Sequence, residues 1–483
     1  MKEYDVIAIG SGSSMNIIPA IMRKNPELKA AVIDKDEPGG ICLTRGCIPT
    51  KMLVYPAELV RIIQEAETFG IDAPIKKIDF QKVMERMRSH IKPQIEGIRN
   101  GLGNSEGIDY YPAIAEFIAP YTLKVGKETI TSKFILLCLG SEVMIPQIPG
   151  LDKVKYHTSD TILGIKKLPD SMLIIGGGYV AAEYGHFFSA MGSKVTIIGR
   201  NAQFLPQEEP EVSWLALKVM SQNMKIITNH EVIEANEGLT GKKTLIAQDR
   251  KSGKAISISA DEVLIAVGRV SNTNVLHPEK AGIDLDGNGW VKVNQYLETS
   301  QPGIWAFGDA NGKYLFKHVA NYESMVVYYN AVHKRNMAVD YHAVPHAIFS
   351  YPEIAGVGMT EKQAIQAHGE TNILIGFQKY EDTAKGMAMG VEGYFAKVIL
   401  ESKTRKILGA HIIGPQASIL IQEIINLMYT QSGSVAPLIS AMHIHPGLSE
   451  VVERACQRLM TPAQYQHLLQ HERGEVHQEH HHH

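Results

Sequence analysis

The chain has 483 residues, 45% of them apolar and 20% charged, with a formal net charge of −3. That length supplies core for roughly two to four domains, and the near-neutral balance gives no ground for nucleic acid or an anionic membrane as a partner. Four cysteines exclude a secreted disulfide framework, and no apolar run of about 18 residues or signal-peptide pattern is present, so a cytoplasmic protein is expected.

From Tyr4, "YDVIAIGSGSSMN" and then "AAVIDKD" read as strand, glycine turn, helix, strand and acid. Gly10 permits the tight turn, and Gly12 lets a pyrophosphate approach the start of the following helix. Met15 stands where a third glycine would pack helix on strand. Asp34 ends the second strand, placed to accept hydrogen bonds from ribose hydroxyls.

Residues 39–51 read "GGICLTRGCIPTK" and hold Cys42 and Cys47, five positions apart. On a regular helix, side chains so spaced point about 140° apart. Their Cα atoms would also exceed the bridging limit of about 7 Å. A disulfide therefore needs distorted backbone, which Gly46 permits, while Pro49 suits a first helical turn. A cysteine at a helix start has its thiolate favoured. Pairing, metal binding and a packing accident all stand at this point, although zinc would want a second pair of ligands that the chain does not offer.

Residues 78–100 carry helical periodicity with a proline kink, and residues 107–140 read as short strands ending in "FILLCLG", where Cys138 is a buried strand filler. A second strand and glycine turn follow in "SMLIIGGGYVAAEYGHFFSAMGSKVTIIGR", with Gly176, Gly178 and Tyr179 at the turn. The strand after it ends at Gly199, where an NAD site would carry an acid, and Arg200 follows. Loss of the acid and gain of a cation favour a 2′-phosphate, hence NADP(H), with NAD(H) still admitted. Residues 225–268 read as further strands. "GIWAFGDANG" places Asp309 on a turn after an apolar strand, where a carboxylate can hold polyol hydroxyls.

From about residue 345 the texture changes to strands plus two helices of a separate domain, with Cys456 on a helix face. "HIHPGLSEVVERA" sets His445 five residues before Glu450, an acid–base group with a carboxylate able to fix it. The end, "HLLQHERGEVHQEHHHH", holds seven of the twenty histidines and reads as a tag or disordered tail.

Together these stretches resemble the FAD-dependent pyridine nucleotide–disulfide oxidoreductases, over residues 3 to about 460. "GGICLTRGCIPTK" resembles the redox signature GGTCLNxGCIPSK, and "GGGYVAAE", "AVGRVSNT", "WAFGDA" and "HPGLSE" follow in the family's order. "YHTSDTI", "FKHVANYE" and "GAHIIGPQASILIQ" look closest to its mycothione reductase branch. Departures are Met15, Cys138-Leu139-Gly140 in place of Ala-Thr-Gly, and Pro206 in place of a second arginine.

The resemblance implies an α/β fold with two Rossmann-like nucleotide-binding domains plus a C-terminal α+β dimerisation domain. FAD would occupy 1–148 and 275–345, NAD(P) 149–274, the interface domain 346–462, and 463–483 would be tail. It implies a homodimer that passes electrons between NAD(P)H, FAD, a Cys42–Cys47 disulfide and a small disulfide or dithiol, such as a low-molecular-weight thiol disulfide or dihydrolipoamide. Cys42 would attack substrate, and Cys47 would lie beside the flavin. Lys51 and Glu183 would be an ion pair near it, and Tyr179 would cover the nicotinamide pocket. His445 and Glu450 would form the acid–base dyad, reaching the redox pair of the other subunit. Gly10, Gly12, Asp34, Gly140, Asp309, Gly176, Gly178, Tyr179, Arg200 and Gly268 are the implied cofactor-binding positions, with no metal. The alternatives are a metal-ion reductase of the mercuric reductase type, or a catalytically silent flavin-binding partner protein.

Overall fold

Strands covered on both faces need apolar residues at every position. Val6–Ile9 and Ala30–Ile33 meet that condition, being buried throughout. In the computed structural model, which describes residues 1–479, they form the middle of a five-stranded parallel sheet. Its order is Ile304–Ala306, Ile135–Leu137, Val6–Ile9, Ala30–Ile33, Ile108–Tyr111. Gly10 leaves this sheet at φ +98°, and a Cβ there would strike the Cys138 carbonyl of the neighbouring strand end. With Met15 in place of a third glycine, the chain makes one 3₁₀ turn, Ser13–Asn16, before the α-helix Ile18–Lys24 begins. Met15 packs half-buried against the apolar cluster beneath it.

A second parallel sheet runs His157–Thr158, Glu262–Ile265, Ser171–Ile175, Lys194–Ile198, Lys225–Ile227. Gly176 repeats the role of Gly10: at φ +129° it passes so close to the Ala266 carbonyl that no side chain fits. The helix Tyr179–Met191 that follows packs against the long helix Cys47–Glu65. The helix expected over 78–100 is Phe80–Asn104, continuous through Pro93.

The C-terminal sheet is antiparallel, ordered Pro345–Ile348, Ile354–Gly358, Ile407–Ile413, Phe395–Glu401, Ile373–Lys379, Leu459–Met460. Helices Ala417–Met428 and Glu450–Gln457 cover one face through Ala396, Val398, Ala410 and Ile412. Lys397, alternating with these, points to the opposite face. Its ammonium is fully buried, 2.6 Å from Glu211 and Glu361 and 3.3 Å from Glu209. Lys397→Ala would strand those carboxylates and should lower stability by about 3–5 kcal/mol, read as an earlier midpoint in urea unfolding.

The boundary expected at residue 462 needs correction. Pro462–Glu479 is a helix. Tyr465 is fully buried and donates to Glu211 at 2.7 Å, and Leu468 and Leu469 pack on the main core. A helical apolar stripe lies inside the polar tail text. His480 to His483, the oligohistidine end read as a tag, lie outside the described residues. Among the described residues, no helix is long and apolar enough to cross a membrane.

Candidate active site

The cysteine pair sits at a break between two helices. Gly40–Arg45 is one helix, Gly46 departs from helical backbone at φ −123° and ψ −124°, and Cys47–Glu65 is the next. A Cβ on residue 46 would lie 2.9 Å from the Ile41 carbonyl and 3.1 Å from the Cys42 Cα, so only glycine lets the chain fold back this closely. The two Cα atoms come to 4.8 Å, within bridging range, and Cys42 and Cys47 form a disulfide. Of the three readings open for the pair, the structure selects pairing. Cys138 and Cys456 are free thiols; burial pushes the Cys138 thiol up to about 11 and raises that of Cys456 further.

Both sulfur residues line a cavity of about 630 Å³ that runs from the first glycine turn to the C-terminal sheet. Gly10, Gly12, Asp34, Gly140 and Asp309 line it, as do Lys51, Tyr179 and Glu183. Asp34 is held in place by three donors: the Ser11 N–H at 2.9 Å, the Ser11 hydroxyl at 2.5 Å and the Asp36 N–H at 3.0 Å. Asp309 accepts from the Ser141 hydroxyl at 2.5 Å, and burial raises its carboxyl above the usual range. Lys51 Nζ lies 2.8 and 2.9 Å from the two oxygens of buried Glu183, which also accepts the Phe349 N–H at 3.0 Å. Tyr179 opens its helix and faces Phe316, the ring centroids 6.5 Å apart.

The lining extends to residues that sequence reasoning did not name. Arg269 donates from Nε to the Ser141 hydroxyl at 2.7 Å and from Nη2 to its carbonyl at 2.8 Å, so a cation is tied through Ser141 to Asp309. Lys317 donates to Ser13 in the first glycine turn at 2.8 Å, and Arg45 pairs with Asp36 at 3.0 Å. Arg269 follows the glycine singled out in "AVGRVSNT". Gly268 itself, at φ +123°, acts through its carbonyl, which accepts the Met144 N–H at 2.9 Å. Gly176, Gly178, Arg200 and Gly268 do not line the cavity. Arg200 is exposed, its Nε 3.6 Å from Glu231, and its carbonyl accepts from Arg250 at 3.1 Å.

His445 Nδ1 and Glu450 Oε1 are 3.0 Å apart, and this hydrogen bond holds the Glu450 carboxyl below its usual range. The histidine side chain is 67% exposed and is not on the cavity wall of its own chain. Exposed Met442 and Ile444 flank it. It is not alone in having a carboxylate: His443 pairs with Glu423 at 2.9 Å and His346 with Glu208 at 2.7 Å.

Residues 4–334 match the family model described as pyridine nucleotide-disulphide oxidoreductase, and residues 344–456 match its dimerisation domain. A mycothione reductase of Mycobacterium tuberculosis is 36% identical over 472 residues, covering 94% of this chain and 99% of the relative. A dihydrolipoyl dehydrogenase of Chlamydia trachomatis is 32% identical over 469 residues, covering 95% and 98%. Among solved structures, a Cu(II) complex of the HOCl-induced flavoprotein disulfide reductase RclA from Escherichia coli superposes with a TM-score of 0.83 at 26% identity, covering 95% of this chain and 99% of that one.

Proposed function

The chain belongs to the pyridine nucleotide-disulphide oxidoreductase family, and we propose that within it the protein reduces a low-molecular-weight organic disulfide at the expense of NADPH. The observation that carries this reading is the Cys42–Cys47 disulfide on the wall of a cavity whose other walls suit FAD. The fit is chemical. A glycine-lined turn with Lys317 nearby matches a pyrophosphate, fixed Asp34 matches ribose hydroxyls, and buried Asp309, backed by Ser141 and Arg269, matches a polyol. FAD, when bound, carries electrons between the nicotinamide and the cysteine pair.

The chain's own residues supply the rest. Lys51, neutralised by Glu183, places an ammonium on the cavity wall. Once the pair is reduced, the Cys42 thiolate attacks a sulfur of the substrate disulfide, forming a mixed disulfide and expelling one thiolate. His445 of the partner subunit donates a proton to that leaving group. The Cys47 thiolate then attacks Cys42 Sγ, which expels the second product as a thiolate and restores the disulfide. The exposed setting of His445, beside Met442 and Ile444, supports its working across a homodimer interface rather than within its own chain.

The greater identity to mycothione reductase than to dihydrolipoyl dehydrogenase supports a thiol disulfide over dihydrolipoamide as substrate. Gly199 in place of an acid supports NADPH, and Arg250, brought to Arg200 by the neighbouring hairpin, adds a second cation there. Kinetics on lipoamide, glutathione disulfide, mycothiol disulfide and bis-γ-glutamylcystine, each with NADH and NADPH, test both points. NADPH should serve at least as well as NADH, and Arg200→Glu should impair NADPH selectively. A preference for NADH above about tenfold, or 1.4 kcal/mol, would refute the cofactor assignment; turnover of lipoamide alone would refute the substrate class.

A further inference from the structure

Behind the first glycine turn lies a second cavity, a groove of about 470 Å³ between the helix Ile18–Lys24 and the helix Lys317–Ala331. Asn16, Arg23 and Lys24 line it from one side, and Asn321, Tyr328 and Tyr329 from the other. Among the described residues no acid is on its wall. Nor does any ion pair among them join Arg23, Lys24 or the neighbouring Arg335 to a carboxylate. Lys24 instead lies over the Tyr328 ring at 5.6 Å, with His333 Nε2 3.5 Å from its Nζ, and Arg335 lies over the Tyr329 ring at 4.7 Å. Arg23 and Lys24 sit in the last turn of their helix, where a cation opposes the dipole. That accounts for their place on the helix, but not for Arg335, which a second segment of the chain brings to Tyr329. In a chain of formal net charge −3, this corner carries cations without their counter-charge.

Asn321 ties the groove to the redox cavity. Its Oδ1 accepts from Ser13 Oγ at 3.2 Å and from Asn16 Nδ2 at 3.2 Å, and Asn16 Nδ2 also donates to Ser324 Oγ at 3.0 Å. With the oxygen so engaged, the Asn321 NH₂ group makes no hydrogen bond among the described residues and offers two donors to the groove. Ser13 and Lys317, which donates to it at 2.8 Å, both line the redox cavity, so the Ser13–Asn321 bond is a partition between the two spaces. Gly12, just before Ser13, lies against Gly40: a Cβ on residue 40 would be 2.8 Å from Gly12 Cα. Cys42 is two residues further along the helix that Gly40 opens, and Asn16 ends the 3₁₀ turn that Gly12 begins. The groove thus opens a few residues from the reactive sulfur. The residues that suit FAD face the cavity, whereas Arg23, Lys24 and Arg335 are not on its wall, so FAD does not account for them.

We propose that this groove holds the acidic tail, carboxylate or phosphate, of the disulfide that Cys42 attacks, so that the substrate is the disulfide of an acidic thiol. The Arg23 guanidinium presents a planar fork that matches either group, Lys24 adds a point charge, and the Asn321 NH₂ group fixes direction. An ion pair formed in open water is worth little. Between the rings of Tyr328 and Tyr329 the charges are less screened than in open water, and each contact counts for more. The groove acts on binding and leaves the exchange chemistry at Cys42 unchanged. The inference rests on the proposed disulfide reductase reading. Within it, glutathione disulfide and bis-γ-glutamylcystine rank above lipoamide and mycothiol disulfide, which carry no acid.

Two matched pairs of disulfides test it on holoenzyme: glutathione disulfide against its glycine ethyl ester, which has no net charge, and coenzyme A disulfide against pantethine, which lacks the phosphates. In one pair the acidic member should have a kcat/KM at least about tenfold higher, the scale of one charge-assisted hydrogen bond, and the advantage should shrink as salt is raised. The pair that shows it distinguishes a carboxylate tail from a phosphate tail. Arg23→Glu, at an exposed position where folding is not at stake, should raise KM for the favoured acidic disulfide at least about tenfold more than for its uncharged partner. Titration calorimetry of both acidic disulfides into the oxidised holoenzyme, with no reductant, reads binding without turnover. Uncharged members turned over as well as the acidic ones overturn the groove assignment and leave the redox reading standing, and so does binding that Arg23→Glu leaves unchanged. An acidic disulfide that binds through Arg23 and is not reduced supports the groove and refutes the redox reading instead.

Discussion

Replacing Cys42 with serine should abolish disulfide turnover, by on the order of 10⁴-fold or more, the scale on which removing a covalent nucleophile acts in other enzymes. The hydroxyl has no accessible anion near neutral pH and cannot form or exchange a disulfide bond. The walls that suit FAD and the nicotinamide do not depend on this sulfur: Asp34, Asp309, Arg269 and Tyr179 make their contacts elsewhere. NAD(P)H-driven reduction of a one-electron dye should therefore survive the substitution, and steady-state assays with the dye and with a disulfide, run side by side, check it. Cys456→Ala serves as the control. Its thiol is fully buried and free, so both activities should stay at wild-type level. Disulfide turnover retained by Cys42→Ser would remove the pair from the reaction altogether.

The parts of this site that the sequence announces are those built by short stretches. A glycine between strand and helix, an acid at the next strand end and two cysteines around Gly46 each declare their geometry locally, and the structure brings Gly10, Gly12, Asp34, Cys42, Cys47, Lys51, Glu183 and Asp309 to one cavity. The backbone detail was legible only as a condition. A Cys42–Cys47 bond required a break from helix, and Gly46 is that break. What stayed hidden depends on register between distant strands. Arg269 reaches Ser141 because Arg269–Val270 pairs with Glu142–Val143, and Arg250 reaches the Arg200 carbonyl from the turn between strands Lys243–Asp249 and Ala255–Ala260.

Lys397 illustrates the same limit. In "YFAKVIL" it is a single cation within an apolar run, and nothing local names its partners; both faces of that strand are covered and its charge is met by three acids from two other elements. The terminal helix was missed for a different reason. Tyr465, Leu468 and Leu469 form a narrow apolar stripe, and histidine-rich composition on either side masked its period.

His445→Gln should cut disulfide turnover by at least about a hundredfold while leaving reduction of the enzyme by NAD(P)H nearly intact. When Cys42 attacks a disulfide, a thiolate must leave a desolvated cleft, and a positioned general acid is worth about 10²–10⁴-fold in such a step. Glutamine keeps much of the side chain's shape but cannot give up a proton. Glu450 would orient the acid, its Oε1 3.0 Å from His445 Nδ1, and Arg454, 3.3 Å from the same oxygen, keeps that carboxylate charged. His445 is exposed and off the cavity wall of its own chain, and the proposed mechanism therefore pairs Cys42 of one subunit with His445 of the partner subunit. Mixing His445→Gln chains with Cys42→Ser chains then has a quantitative outcome. Half of randomly assembled dimers would be hybrids, and each hybrid would own one intact site, so activity should recover to roughly a quarter of wild type. Two inactive variants that stay inactive after demonstrated subunit exchange would place the acid within a single chain, and full activity of a proven monomer would do the same.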